Sequence, residues 1–155
     1  MSDLELAYTP ATELARRIKA KELSPVAVVR NALERIEEVN GRLNCLVFVY
    51  ADEALAKARA AEDALMRGEA LGPLHGVPLA IKDLTPTKGK RTTLGSYTHE
   101  HWVPDRSATI VDRLEAAGAI MIGKSATPEF AYSSFTRSPL WGVTRNPWEI
   151  GRAHV

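Results

Sequence analysis

The sequence is short of the features that announce a compartment or a charged partner. Its 155 residues hold one cysteine, Cys45. A single thiol closes no internal disulfide, which fits a reducing cytoplasm. No apolar run approaches the ~18 residues that span a bilayer. The start Ser2-Asp3-Leu4-Glu5 is acidic and carries no apolar signal core. The expectation is a cytoplasmic protein without membrane association. Neither sign of charge is in excess: 20 basic against 19 acidic side chains give +1. That balance is no electrostatic footprint for direct binding of nucleic acid. Several motifs are missing as well. There is no Gly-x-Ser-x-Gly elbow, no phosphate loop, no Gly-x-Gly-x-x-Gly and no His-Glu-x-x-His. No cofactor and no metal are expected. His99 and His101 flank Glu100, but no third ligand follows at a recognisable spacing.

What is present reads as globular α/β material. Apolar residues make up 45% and charged residues 25%, which argues against a disordered chain. A compact chain of this size can bury about 70% of its unfolded surface. Thr9 or Thr12 can cap a helix reaching Lys21, with Leu14 and Ile18 on one face. Ser24-Pro25 is a helix start, a capping hydroxyl followed by proline at the first position. Asn40-Gly41 should end that helix. Leu43 to Tyr50 reads as a strand, and the alanine-rich run from Ala51 to Met66 as a helix. Val77 to Asp83 is a short strand of period two, with Val77, Leu79 and Ile81 on one side and Pro78, Ala80 and Lys82 on the other. Residues 84–106 form a long polar excursion. A helix from Ser107 to Ala117, turning Ile110, Val111 and Leu114 inward, leads to a buried strand at Ala119–Ile122. Strand, loop, helix, strand is a βαβ-like order and predicts an α/β sheet.

Few residues suggest chemistry on their own. Lys82 ends a strand, and open α/β sheets bind ligands beyond the carboxyl ends of their strands. A lysine desolvated there can turn neutral and act as a base; a solvated lysine paired with Asp83 is the plainer alternative. Ser133-Ser134 is the one adjacent serine pair, but no glycine accompanies it to cradle an oxyanion. His75 reads as a turn residue, Cys45 as a small core residue, and Lys88, Lys90 and Arg91 as a solvated loop.

The run Gly72-Pro73-Leu74-His75-Gly76-Val77-Pro78-Leu79-Ala80-Ile81-Lys82-Asp83 closely resembles the amidase signature family. The likeness continues through Arg91–Ser96, Val103-Pro104-Asp105, Leu114–Ala119, Gly123–Phe130 and Trp141–Trp148, in one order over about residues 5–149. The resemblance implies the N-terminal portion of a truncated α/β/α fold, a mixed sheet flanked by helices. Within 1–149 it divides into a helical part, 1–70, and an α/β part, 71–149. It also implies hydrolysis of a small-molecule carboxamide through a Ser-Ser-Lys triad, with Lys82 as the neutral base that takes a proton from a bridging serine. The family relative that passes amide nitrogen to charged transfer RNA, the amidotransferase A subunit, is the alternative. The loop Asp83–Gly89 looks more like stand-alone amidases. A non-catalytic interaction module is a third reading, and a homodimer of the full-length parent is left open.

The resemblance stops after Trp148. The family continues into a glycine- and serine-rich stretch that holds both triad serines, whereas here Ile150-Gly151-Arg152-Ala153-His154-Val155 follows Glu149. Those six residues match the translation of a sequencing adapter, ATC-GGA-AGA-GCA-CAC-GTC. The expectation is a non-native tail at 150–155. With one of three triad members, the chain itself is expected to lack amidase activity. It is also expected to expose apolar strand residues, among them Val77, Leu79, Ile81 and Ile120–Ile122.

Overall fold

A computed structural model describes residues 2–148. The expected tail at 150–155 lies outside them. By its contacts the chain forms two compact units that interleave in sequence. The first takes residues up to Glu38, Tyr50–Ala80 and Asp112–Ile122; the second takes Val39–Val49, Ile81–Val111 and the residues from Gly123 onward.

The first unit is mostly helix. A short α1, Leu4–Ala7, is capped by Asp3, whose carboxylate accepts from the Leu6 amide. Helix α2, Ala11–Lys19, buries Leu14 and Ile18 as their spacing requires. Its cap position is Pro10 rather than a threonine, and no side chain caps it. Helix α3 runs Pro25–Leu43. Ser24 Oγ accepts from the Ala27 amide at 3.1 Å and donates to Glu62, so the predicted start is realised with a tertiary partner. Gly41 does not end α3; the helix continues to Leu43, because a glycine weakens a helix without breaking it. Helix α4, Ala51–Arg67, ends on left-handed Gly68, as expected of an alanine-rich run with a glycine behind it. Two apolar clusters hold these helices. One joins Leu14, Ile18, Val28, Leu65 and Val77; the other joins Val29, Ala54, Ala58, Ile120 and Ile122. Burying each such aliphatic side chain is worth about 1.5–3 kcal/mol.

The second unit is loop-rich. Strand β1, Leu46–Val49, pairs antiparallel with the later part of β3, Ile120–Ser125. A Cβ on Gly123 would stand 2.3 Å from Phe48 O, so only glycine lets the two backbones approach here. Strand β2 is Pro78–Lys82, and the sheet order is β1-β3-β2. Ile120 donates to Val77 O and Asp83 donates to Ser125 O. Both strands thus run in one sense, which makes the sheet mixed as expected. A small hairpin of two-residue strands, β4 Arg137–Ser138 with β5 Gly142–Val143, was not anticipated.

Two packing expectations fail. In α5, Thr109–Ala116, only Val111 is buried, while Ile110 is 56% exposed and Leu114 half-buried. Most of the strand residues expected to lie bare are instead covered: Val77, Ile81, Ile120, Met121 and Ile122 are buried, and Leu79 is half-buried. For Val77, Ile120 and Ile122 the covering groups are the helices of the first unit.

Candidate active site

The site is built from the carboxyl end of β2 and the excursion that follows. Lys82 occupies the last position of β2. Period-two alternation turns Ile81 into the core and leaves Ala80 and Lys82 exposed. The sequence suggested a partly buried, desolvated base. In the structure Lys82 is exposed, and among the described residues its ammonium makes no hydrogen bond or ion pair. Nor does it pair with Asp83.

Asp83 turns the other way and is fully buried. Its carboxylate accepts from the Thr93 amide at 3.0 Å and from the Thr93 hydroxyl. Thr93 Oγ1 in turn accepts from Trp141 Nε1 at 2.8 Å and from the Gly95 amide at 3.2 Å. One donated and two accepted bonds saturate that hydroxyl. The Asp83 carbonyl accepts from Leu94 and its amide donates to Ser125 O. The start of the excursion, its return at residues 93–94 and the end of β3 therefore share one aspartate.

A second buried charge sits beside it. Lys124, in β3, is fully enclosed. Its Nζ donates to Thr85 O at 2.8 Å and to Thr92 Oγ1 at 2.5 Å, and Thr92 Oγ1 donates to Lys90 O. Burial pushes the Lys124 ammonium down to about 8, against a smaller pull upward from the Asp83 carboxylate. The sequence reading missed Lys124 because it ended the strand at Ile122. The available signal was the position of Lys124 two residues beyond an unbroken apolar run, inside a strand rather than after it.

The remaining candidates separate clearly. Arg91 is not a solvated loop residue: its guanidinium lies 4.9 Å from the Phe48 ring centre and 5.6 Å from that of Trp141. Lys88 is exposed. His99 packs edge-on against Trp102 and Phe130, while His101 is exposed. Among the described residues no three His, Cys, Asp or Glu side chains gather as a metal cage would need. His75 stands in a turn and bonds Ala61 O. Cys45 is half-buried beside Asn40, and burial pushes its thiol up, away from the thiolate a nucleophile needs. Ser133 and Ser134 are exposed, and Ser133 Oγ accepts from the Phe135 amide. Ahead of them Phe130 and Ala131 both have positive φ, 51° and 56°. That strained segment is pinned where Ser96 Oγ donates to Glu129 at 2.7 Å and Phe130 donates to Leu94 O.

Known proteins are similar to this chain in sequence and fold. The amidase family model matches residues 27–154. The A subunit of glutamyl-tRNA(Gln) amidotransferase from Acidothermus cellulolyticus is 45% identical over 152 residues, which cover 98% of this chain and 30% of that protein. Among solved structures, fatty acid amide hydrolase superposes with a TM-score of 0.90 at 28% identity, covering 95% of this chain and 26% of that one. Peptide amidase from Stenotrophomonas maltophilia gives 0.84 at 32%, covering 93% and 31%. The chain spans about 30% of the length of the curated relatives it matches, and it belongs to the amidase signature family.

Proposed function

We propose that this chain is the base-bearing N-terminal part of an enzyme that breaks a carboxamide C–N bond through an acyl-enzyme. The observation that carries the reading is the run Gly72–Asp83, which delivers Lys82 to the carboxyl end of β2. An amide is a poor electrophile and a serine hydroxyl a poor nucleophile, so the reaction needs a base at the start and an acid at the departure of the amine. Lys82 would take a proton from a bridging serine, which would deprotonate the nucleophilic serine. The nucleophile would attack the carbonyl and form the acyl-enzyme. The proton would return along the same relay to the leaving nitrogen. Only a neutral amine can begin this relay. Lys82 is exposed in this chain, so the reading requires the remaining length of the parent enzyme to cover it. Both serines belong to that remaining length, and the 155-residue chain is expected to be inactive.

Water releases the acyl group from the serine in either case, and two fates of the freed nitrogen are open. Its loss to solvent makes an amidase, in keeping with two solved relatives, fatty acid amide hydrolase and peptide amidase. Its delivery to a charged transfer RNA makes an amidotransferase component. That second reading is favoured by 42–45% identity to curated proteins of that name. Glutamine hydrolysis that appears only with partner subunits selects the second; hydrolysis of simple amides by the enzyme alone selects the first.

The test starts from genomic DNA beyond the Trp148 codon. It is expected to continue into a glycine- and serine-rich stretch, and a frame without serines there overturns the reading. In the full-length enzyme, Lys82→Ala should lower kcat/KM by about 10²–10⁴. Lys82→Arg should do the same, because a guanidinium stays charged.

A further inference from the structure

The reaction proposed above uses Lys82 and gives the buried Lys124 no role. Enclosing an ammonium is costly unless its partners compensate, and a methionine would fill the same space in β3 without that cost. The partners Lys124 has are specific. Thr85 donates its amide to the Lys82 carbonyl, closing the turn that leaves β2. The carbonyl of that same Thr85 accepts from Lys124 Nζ. The second partner, Thr92, lies at the far end of the same segment and adjoins Thr93, which holds Asp83, the residue directly after Lys82. Beyond the sheet pairing of β2 with β3, the backbone of Lys82 is thus tied to β3 by two short side-chain routes, and both pass through residues that Lys124 or Asp83 holds. The Lys82 side chain starts from a fixed Cα although its own ammonium touches nothing.

We propose that Lys124 is a positioning residue for the strand-end base: its buried ammonium clamps Thr85 and Thr92 to β3, and so fixes where Lys82 enters the site. This rests on reading Lys82 as the base. Lys124 touches no reacting atom and transfers no proton in the scheme. Asp83 is the charged group that faces it, and it balances the buried ammonium.

The experiment compares Lys82→Ala, Lys124→Met, Thr92→Val and Thr92→Ser in the full-length enzyme, reading kcat and KM. Lys124→Met should lower kcat by about 10- to 100-fold, with KM within about twofold. Thr92→Val removes one hydroxyl at nearly constant shape, and it should lower kcat the same way by less, while Thr92→Ser, which keeps the hydroxyl, should restore it. If Lys124→Met does not fold, the Thr92 pair decides alone. A variant that lowers only thermal stability, with kcat unchanged, overturns the positioning role and leaves the base intact. Activity that survives Lys82→Ala removes the base reading, and the positioning role with it.

Discussion

The two units reach stability by opposite means. In the first, the fully buried side chains include Ile18, Val29, Ala54 and Ala58, and two aliphatic clusters hold the helices. In the second, they include Lys124, Asp83, Thr92 and Thr93, joined by directed hydrogen bonds. Apolar packing is non-directional and tolerates adjustment. A buried polar network works only when every member is satisfied, and it then specifies one geometry. A unit proposed to present Lys82 at a defined point is better served by the second kind.

The comparison can be broken by substitution. The largest loss of stability is expected from Asp83→Ala, about 3–5 kcal/mol. It strands the Thr93 amide and hydroxyl and leaves the Lys124 ammonium without its carboxylate. Ile18→Ala should cost about 2–4 kcal/mol through lost transfer energy and a cavity in the first unit. Urea melts of the two variants make the contrast measurable. Equal or reversed losses would show that the polar network is no more demanding than the aliphatic one.

A third test is smaller and concerns pH. The Ser2 hydroxyl and amide, with Arg35 contributing, hold the Glu38 carboxyl down to about 2. A depressed carboxyl stabilises the fold above its unfolded value, near 4.5, and that support fades as pH falls towards 2. Glu38→Gln should lower the melting temperature at pH 7, where that support is whole, and flatten its fall over the window, so that the two proteins converge near pH 2. An unaltered acid slope in the variant would place the loss elsewhere.

The same contrast explains what could be read in advance. Ser24-Pro25, the alanine run from Ala51 and the Leu14/Ile18 spacing are local signals, and each specified an element of the first unit. Lys82 was legible as a strand end because period two is also local. The partners of Asp83 and Lys124 were not. Thr93 lies 10 residues from Asp83, Thr92 lies 32 from Lys124, and Trp141 lies 48 from Thr93. No periodicity encodes such pairings; they exist only once the excursion has folded back. The exposure of Lys82 was equally illegible, since a strand-end lysine reads the same whether or not something covers it.

The bond from Trp141 Nε1 to Thr93 has an optical consequence. The three tryptophans, Trp102, Trp141 and Trp148, all belong to the second unit. Of these, Trp141 is half-buried, while Trp102 and Trp148 are 38% and 92% exposed. Emission excited in the indole band is therefore blind to the first unit. Its structure-sensitive part comes from Trp141, bonded to the partner of Asp83, and from Trp102, packed edge-on against His99. Far-ultraviolet dichroism, dominated by α2, α3 and α4, reports mostly on the first unit. The chain carries within its own residues a separate spectroscopic reporter for each of its two ways of holding together.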